Sequence, residues 1–286
     1  MALPRKFLED ALGAPPEAFG EVRPVAGGDL NEAYCVVHHR QKYFVKYHPH
    51  PVPGQFAVEA QGLQLLSDAG VVSVPRVHAV HPEGLVLEWL EADPASRDSA
   101  SETLGRQLAL LHQKPVPGYA LPIGNVVGIR QDPGPVVADL VTFYRTYRLA
   151  PLLDALTQSG TQPAHRLKRL HRLMAHLDDL LDPRASRPSL LHGDLWSGNW
   201  MATRRGPYLV DPAAYWGDRE MEIAMTELFA RFPLPFYHAY QEVWPLDPGY
   251  AERRPLYQLY PLLVHLYLFG EAWGPSVDRI LAHYTG

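Results

Sequence analysis

Short runs of alternating hydrophobic and polar positions fill the first ninety residues and predict β-strands. Strands are expected at residues 22–25, 33–38 and 43–47, with a Gly-Gly turn after the first and the polar turn HRQK between the other two. Two more strands follow in VPRVHAVHPEGLVLEWLE, around a Pro-Glu-Gly turn. A helical period over residues 55–69, ended by Gly70, separates the two groups of strands. The pattern predicts a small antiparallel sheet with one inserted helix.

Hydrophobic positions later in the chain recur every three or four residues, which is the period of an amphipathic helix. Helices are expected at residues 101–112, 136–149 and 164–181, and from residue 219 to the end. PSLLHGDL and PYLVDP predict two short strands around a loop, and the Pro- and Gly-rich residues 115–135 predict a longer loop. The expected fold class is therefore α+β, with a mostly β N-terminal lobe, 1–90, and a mostly helical C-terminal lobe, 91–286.

Composition and charge exclude several classes of function. The chain has 286 residues, of which 47% are hydrophobic and 20% charged, as in ordinary globular proteins. A net charge of -5 argues against a general nucleic-acid binder, which needs basic side chains to neutralise phosphates. No apolar run is long enough to span a membrane, and the N-terminus lacks the apolar region of a signal peptide. With Cys35 as the single cysteine, no internal disulfide can form, and we expect a cytoplasmic protein. We also expect a monomer or a weak homodimer.

The stretch LLHGDLWSGNW, residues 190–200, carries the sharpest chemical signal. A hydrophobic run ends in a His-Gly-Asp turn, and Asn199 follows Asp194 by five positions. A second predicted strand ends at Asp211. Two carboxylates and a carboxamide can hold Mg²⁺ through oxygen atoms and leave one carboxylate as the base for phosphoryl transfer. A Ca²⁺-binding loop or a helix-capping turn is the competing, purely structural interpretation.

The order Asp, four residues, Asn and a later Asp matches the order found in protein kinases. That order predicts a Gly-rich turn between strands, a Lys on the third strand and a Glu on the next helix. Gly27 and Gly28, Lys46 and Glu59 occur in this order, and Glu59 is placed to pair with Lys46. Each of these features alone is more often structural than functional. Their shared order favours a nucleotide-binding site.

Two histidines and the cysteine have simpler interpretations. His192 is expected to order its loop by hydrogen bonding to backbone carbonyls rather than to act in catalysis. His265 lies in the apolar stretch LLVHLYLFG and by default is a core histidine. Cys35 is expected to be a small buried hydrophobic residue.

Several longer stretches resemble the fructosamine kinase family, also called the ketosamine-3-kinases. The stretches are GGDLNEAY, VEAQGLQLL, LGRQLALLHQ, LLHGDLWSGNW, DPAAYWGDREMEIAMTELF and PLYQLYPLLVHLYLFG. The similarity runs in register from about residue 20 to residue 271. Aminoglycoside phosphotransferases and choline kinases share the His-Gly-Asp, Asn and Asp frame but not the Trp that follows Asp-Leu.

The resemblance implies a two-lobed, protein-kinase-like fold and a reaction. An ATP- and Mg²⁺-dependent enzyme would transfer a phosphoryl group to the 3-hydroxyl of a ketosamine, the Amadori product of a sugar and an amine. The phosphorylated product then sheds the sugar, which removes the glycation. By the resemblance, Asp194 is the catalytic base, and Asn199 and Asp211 are the Mg²⁺ ligands.

The resemblance also assigns the nucleotide site. Gly27 and Gly28 match the nucleotide loop, and Lys46 and Glu59 match the ion pair that holds the phosphates. The segment from Glu88 to Leu90 is the expected hinge against which adenine lies.

Trp196 and His265 match positions that face the sugar, which leaves His265 equally open to a core role and a substrate role. The family often has Asn-His-Leu-Asn where this chain has Val264-His265-Leu266-Tyr267. The pocket that holds the sugar is therefore expected to differ in its polar contacts.

Two alternative functions stay open on the sequence. One is a small-molecule kinase for an aminoglycoside or an amino alcohol, whose cationic acceptors need a strongly acidic pocket. Glu220 and Glu222 are available for such a pocket, but the chain has no dense acidic run. The other is a pseudokinase that binds nucleotide without turnover, against which every expected catalytic position is filled.

Overall fold

A five-stranded antiparallel sheet forms the N-terminal part of the computed structural model, which describes residues 3–25, 31–181 and 186–286. The strands lie in the order β1-β2-β3-β5-β4. Their bounds are Phe19–Pro24 (β1), Glu32–His38 (β2), Gln41–Tyr47 (β3), Val77–His81 (β4) and Gly84–Glu88 (β5). The five strands predicted from the alternating pattern are therefore present, with ends that differ by a few residues.

The polar turn HRQK joins β2 and β3 as a two-residue hairpin. His38 pairs with Gln41, and His39 and Arg40 between them have φ angles of 49° and 64°. Such left-handed turns match the twist of the flanking strands. The register carried by this hairpin places Lys46 opposite Ala33 and beside Leu85 of β5, in the centre of the sheet.

The two faces of the sheet are covered by separate helices. Helix α1 (Arg5–Leu12) buries Phe7 and Leu8 in one small core, together with Val36 and Val45 of the sheet. Helix α2 (Gln55–Asp68) buries Phe56 and Leu63 against Leu85 and Leu87 in another. The side chain of Lys46 and helix α2 meet on the second face.

The C-terminal part is mostly helical and holds the largest core cluster. Its helices are α3 (Arg97–His112), α4 (Leu140–Phe143), α5 (Ala150–Gln158), α6 (Ala164–Ala175), α7 (Leu177–Leu180), α8 (Arg219–Thr226), α9 (Leu234–Val243), α10 (Tyr250–Phe269) and α11 (Gly274–Thr285). Two short antiparallel strand pairs complete it: β6 (Pro188–Leu191) with β9 (Tyr215–Asp218), and the hairpin of β7 (Trp200–Thr203) with β8 (Gly206–Leu209).

The helix predicted at residues 136–149 begins later and continues further than expected. The carboxylate of Asp139 caps it by accepting the backbone N–H of Thr142 at 2.8 Å, so α4 begins at Leu140. A π-helical segment, Tyr144–Leu149, then joins α4 to α5. The residues before the cap are extended, because Val137 exchanges backbone hydrogen bonds with Tyr119.

The boundary between the lobes at residue 90 stays a prediction, and the structure shows which contacts cross it. The backbone N–H of Leu209 donates to the carbonyl of Ser73 across it at 2.9 Å, whereas that of Asp93, just past the boundary, donates to the carbonyl of Ala202 within the C-terminal part at 2.8 Å. Arg205 also pairs with Glu88 at 2.6 Å. The β7–β8 hairpin is thereby joined to the end of the sheet. Among the described residues, none of the helices is both long enough and apolar enough to cross a membrane.

Candidate active site

The His-Gly-Asp turn follows β6 and packs tightly against the segment that contains Ala213. Gly193 has a φ of 88°, and a Cβ at this position would collide with the carbonyl oxygen of Ala213. Only glycine fits such a backbone without strain. The turn therefore sets the position of Asp194 through its backbone rather than through side-chain contacts alone.

The carboxylate of Glu222, on α8, holds this turn from below. One of its oxygen atoms accepts the backbone N–H of His192 at 3.0 Å, and the other accepts that of Gly193 at 2.7 Å. His112 lies 3.0 Å from the same carboxylate. Burial alone would raise the pKa of Glu222, but the contacts with His112 and the turn outweigh it and lower that pKa. Sequence reasoning missed this role, although Glu222 stands in the quoted stretch GDREMEIAMTELF.

His192 has the structural role that the sequence predicted. Its Nε2 lies 2.8 Å from the carbonyl oxygen of Val210, and its Nδ1 lies 3.3 Å from the backbone N of Asp194. Because a carbonyl accepts and an amide donates, Nε2 carries the proton and Nδ1 is the acceptor. Burial lowers the pKa of His192, which keeps this neutral tautomer in place.

The carboxylate of Asp194 faces Asn199 across the loop. The side-chain amide of Asn199 donates to the backbone carbonyl of Asp194 at 2.8 Å and to its carboxylate at 3.0 Å. Burial, followed by the negative charge of Asp211, raises the pKa of Asp194 to about 7. A carboxyl group with a pKa near 7 is suited to take up a proton in catalysis.

Asp211, Lys46 and Glu59 form one ionic cluster. The Lys46 ammonium lies 2.7 Å from the carboxylate of Glu59 and 2.6 Å from that of Asp211. Burial works to lower the pKa of Lys46, but the two carboxylates outweigh it and raise that pKa. Asp211 has a φ of 57°, which is rare for a residue with a side chain and common where function constrains the backbone.

The expected magnesium ligands are brought to the same place. The backbone N–H of Val210 donates to the carbonyl of Asn199 at 3.0 Å, which joins the segment before Asp211 to the loop that carries Asp194. Carboxylate and amide oxygens are the ligands that Mg²⁺ prefers, so Asn199 and Asp211 suit this ion in donor chemistry. Among the described residues, no group of three His, Cys, Asp or Glu side chains is arranged as a metal site.

The other residues assigned to the nucleotide differ in how much the structure shows. Gly27 and Gly28 lie outside the described residues. Glu88 ends β5 and pairs with Arg205, and Leu90 is buried beyond it. Within the described chain, the cavity at Asp194 is lined by other residues than Glu88 and Leu90. Their part in a hinge stays a prediction.

A cavity of about 530 Å³ opens beside Asp194 and Lys46, between the sheet and the helices. Trp196 and His265 both line it. The Trp196 ring lies over Gly198, where a Cβ would collide with it. His265 is half-buried, with Nδ1 2.8 Å from the carbonyl oxygen of Pro261 and its ring 4.5 Å from that of Phe229. The structure thus places both residues at the cavity, and contact with a sugar stays a prediction for each.

The chain matches one protein family over nearly its whole length. The family model "Fructosamine kinase" matches residues 3–285. A protein of Lactiplantibacillus plantarum named "Probable ketoamine kinase" is 39% identical over 269 residues, which is 92% of this chain and 94% of that protein.

Solved structures agree with the family match. A proposed fructosamine-3-kinase from Thermobifida fusca superposes with a TM-score of 0.84 at 29% identity, over 97% of this chain and 96% of that one. The ternary complex of streptomycin, ATP and APH(2'')-IIa gives a TM-score of 0.67 at 12% identity, over 97% and 94% of the two chains, which shows the shared kinase-like fold alone. The expected α+β, protein-kinase-like fold is confirmed.

Proposed function

Because the chain belongs to the fructosamine kinase family, we propose that it uses ATP to phosphorylate the 3-hydroxyl of ketosamines, which are adducts of sugars with amines or protein lysines. One observation carries the proposal. The carboxylate of Asp194 is held at the cavity by Asn199 and by a turn whose amides are fixed by Glu222. A base held in this way can meet a hydroxyl group of a bound acceptor in one geometry.

In the proposed reaction, Asp194 accepts the proton of the acceptor hydroxyl. The hydroxyl oxygen forms a bond to the γ-phosphorus of ATP, the bond between that phosphorus and the β,γ-bridging oxygen breaks, and ADP leaves with the electron pair. Lys46, steadied by Glu59, places its positive charge beside the phosphates. Asn199 and Asp211 would hold Mg²⁺, which neutralises phosphate charge when it is bound.

The phosphorylated ketosamine would then lose its sugar and return the free amine. Protein repair by deglycation is the biological role that follows from this chemistry. A cytoplasmic location and a monomeric or weakly dimeric state fit such a role and remain part of the proposal.

The proposal is tested by Mg-ATP-dependent release of ADP with fructosyl-lysine, ribulosyl-lysine, kanamycin and choline as parallel acceptors. We expect release with the ketosamines alone, and the ratio of the two ketosamine rates would name the preferred sugar. Release with kanamycin or choline alone would favour the alternative, a phosphotransferase for aminoglycosides or choline. ATP binding without release in the presence of any of the four would contradict the proposed acceptor.

A further inference from the structure

A buried guanidinium group lines the cavity that contains Asp194. Arg148 lies in the π-helical segment Tyr144–Leu149, and only 4% of its surface is exposed. Its Cζ lies 3.7 Å from the ring centre of Tyr260 and 4.3 Å from that of Tyr215. Isolated π-helical turns occur often at functional sites.

Arg148 lacks the partners that other buried arginines have. Arg166 makes ion pairs with Glu271 and Asp278, and Arg219 donates to the carbonyl oxygens of Trp244 and Pro245. Within the part of the chain that the structure describes, the guanidinium of Arg148 has neither an ion pair nor a hydrogen bond of this kind.

Contact with two aromatic rings stabilises a cation, but it leaves the N–H groups without acceptors. A guanidinium group carries five N–H donors. Those of Arg148 open to the cavity, since none of its nitrogen atoms is among the fully buried polar atoms without a partner in the described chain. In a cavity that takes up a ligand, such donors are matched by oxygen atoms of that ligand.

The ring of Tyr215 lies between Arg148 and the His-Gly-Asp turn. The Tyr215 ring contacts Arg148 and also packs on Gly193, where a Cβ would lie 3.0 Å from its edge. The Lys46 ammonium, in contrast, is bound to Glu59 and Asp211. The cavity that contains Asp194 therefore has a cation on its helical side in addition to the lysine of the sheet.

We propose that Arg148 is the group that binds the sugar of the acceptor and turns its hydroxyl towards Asp194. The inference rests on the proposed function and assigns a specificity residue to it. The carbonyl and hydroxyl oxygens of a ketose are neighbouring acceptors, and the planar fork of a guanidinium can donate to two of them at once. A lysine at this position would present a single point charge.

The test compares Arg148→Met, Arg148→Gln and Arg148→Lys with the wild type, using fructosyl-lysine, ribulosyl-lysine and ATP as varied substrates. We expect Arg148→Met to raise the acceptor KM about 10- to 100-fold, with the ATP KM changed less than about twofold. Arg148→Gln keeps planar N–H donors and should recover part of the loss. Arg145→Met is the control, because Arg145 lies on the same segment but pairs with Asp178 outside the cavity.

Each outcome is decisive. An unchanged acceptor KM in Arg148→Met would overturn the inference while leaving the proposed function in place. A larger rise in the ATP KM than in the acceptor KM would assign Arg148 to the phosphates instead. A wild type that phosphorylates neither ketosamine would overturn the proposed function and the inference with it. If Arg148→Met fails to fold, Arg148→Lys is used instead, since it keeps the charge and loses the planar pair of donors. A raised acceptor KM in Arg148→Lys would support the inference, and an unchanged acceptor KM would overturn it.

Discussion

At the scale of single residues, Asp194 and its neighbours carry the proposed chemistry. The sequence placed Asp194, Asn199 and Asp211 in order along the chain, and the structure brings them to one cavity. The spacing of Asp and Asn could be interpreted because it lies within one loop. The contact of Lys46 with Asp211 could not be predicted from spacing, because 165 positions separate the two residues and only the folded chain brings them together.

Replacement of the base should separate binding from turnover. In Asp194→Asn the carboxamide keeps the size of the side chain but cannot accept a proton, so we expect kcat to fall about 100- to 10,000-fold. Steady-state kinetics give kcat, and titration calorimetry gives ATP affinity, which should stay within about threefold. Turnover close to that of the wild type would remove Asp194 from the role of base.

The turn before Asp194 should not tolerate even one added methyl group. In Gly193→Ala a Cβ meets the carbonyl of Ala213 and the φ of 88° becomes unfavourable, so we expect a loss of at least about 2 kcal/mol in unfolding free energy. Gly206→Ala is a suitable control, because its Cβ would meet no atom within 4 Å although its φ is 112°. Urea unfolding of both variants measures the difference, and equal losses would mean that the collision has no effect.

At the scale of elements, α8 connects the core with the loop that carries Asp194. Its first turns carry Asp218, which caps the helix by accepting the backbone N–H of Glu220 at 2.7 Å, and Glu222, which holds the loop. The helical pattern predicted α8 correctly, but a pattern of hydrophobic positions cannot show which buried carboxylate binds a distant backbone. The predicted start of the helix at residue 136 was wrong for a similar reason. The cap that sets the start is one polar residue, Asp139, which a pattern of hydrophobic positions does not single out.

Loss of the Glu222 carboxylate should reduce activity without direct contact with the reactants. In Glu222→Gln one end of the side chain becomes a donor and faces a backbone N–H, so we expect kcat to fall about 10-fold or more and unfolding free energy to fall by about 1–3 kcal/mol. Glu220→Gln serves as a comparison on the same helix, since Glu220 pairs with Arg253 instead. Steady-state kinetics and thermal unfolding measure both variants, and we expect the larger fall in kcat for Glu222→Gln. A larger fall in kcat for Glu220→Gln would mean that other contacts hold the loop.

The cap of α8 should make stability depend on pH. Burial, then the charge of Glu220, raises the pKa of Asp218 to about 6 from its usual 3.8. Between these values the folded chain binds a proton that the unfolded chain does not, so this group stabilises the fold at low pH and the effect is lost as pH rises through 6.

Asp218→Asn keeps a capping acceptor and removes the titration. From pH 5 to pH 7.5 we expect the wild type to lose about 1.4 kcal/mol of unfolding free energy relative to Asp218→Asn. Urea unfolding at a series of pH values measures this. Parallel curves for the two proteins would show that Asp218 has an ordinary pKa.

At the scale of the whole molecule, the C-terminal helices are tied together by one buried arginine. Arg166 on α6 is 2% exposed and pairs with Glu271 and Asp278, which flank and enter α11. The sequence predicted helices here but not which of them share an ion pair, because the pairing joins positions more than a hundred residues apart.

Loss of this arginine should be far more harmful than loss of an exposed one. In Arg166→Met the carboxylates of Glu271 and Asp278 lose a shared partner that is itself buried, but Glu271 stays largely hydrated, so we expect a decrease of about 2 kcal/mol in unfolding free energy. The control is Arg106→Met, whose exposed pairs with Glu102 and Glu242 should contribute less than about 1 kcal/mol. Thermal unfolding of both variants provides the measurement, and equal decreases would rule out a special role for Arg166.

The contact of Lys46 with two carboxylates has a consequence for how the molecule meets its reactants. Lys46 holds Glu59 and Asp211 within 3 Å of one ammonium group in the folded chain. Two negative charges are therefore already oriented when the chain has folded, and little solvent or side-chain rearrangement remains for the moment of reaction. In the proposed reaction, the reorganisation energy of this cluster would be spent once, during folding, and not again in each turnover.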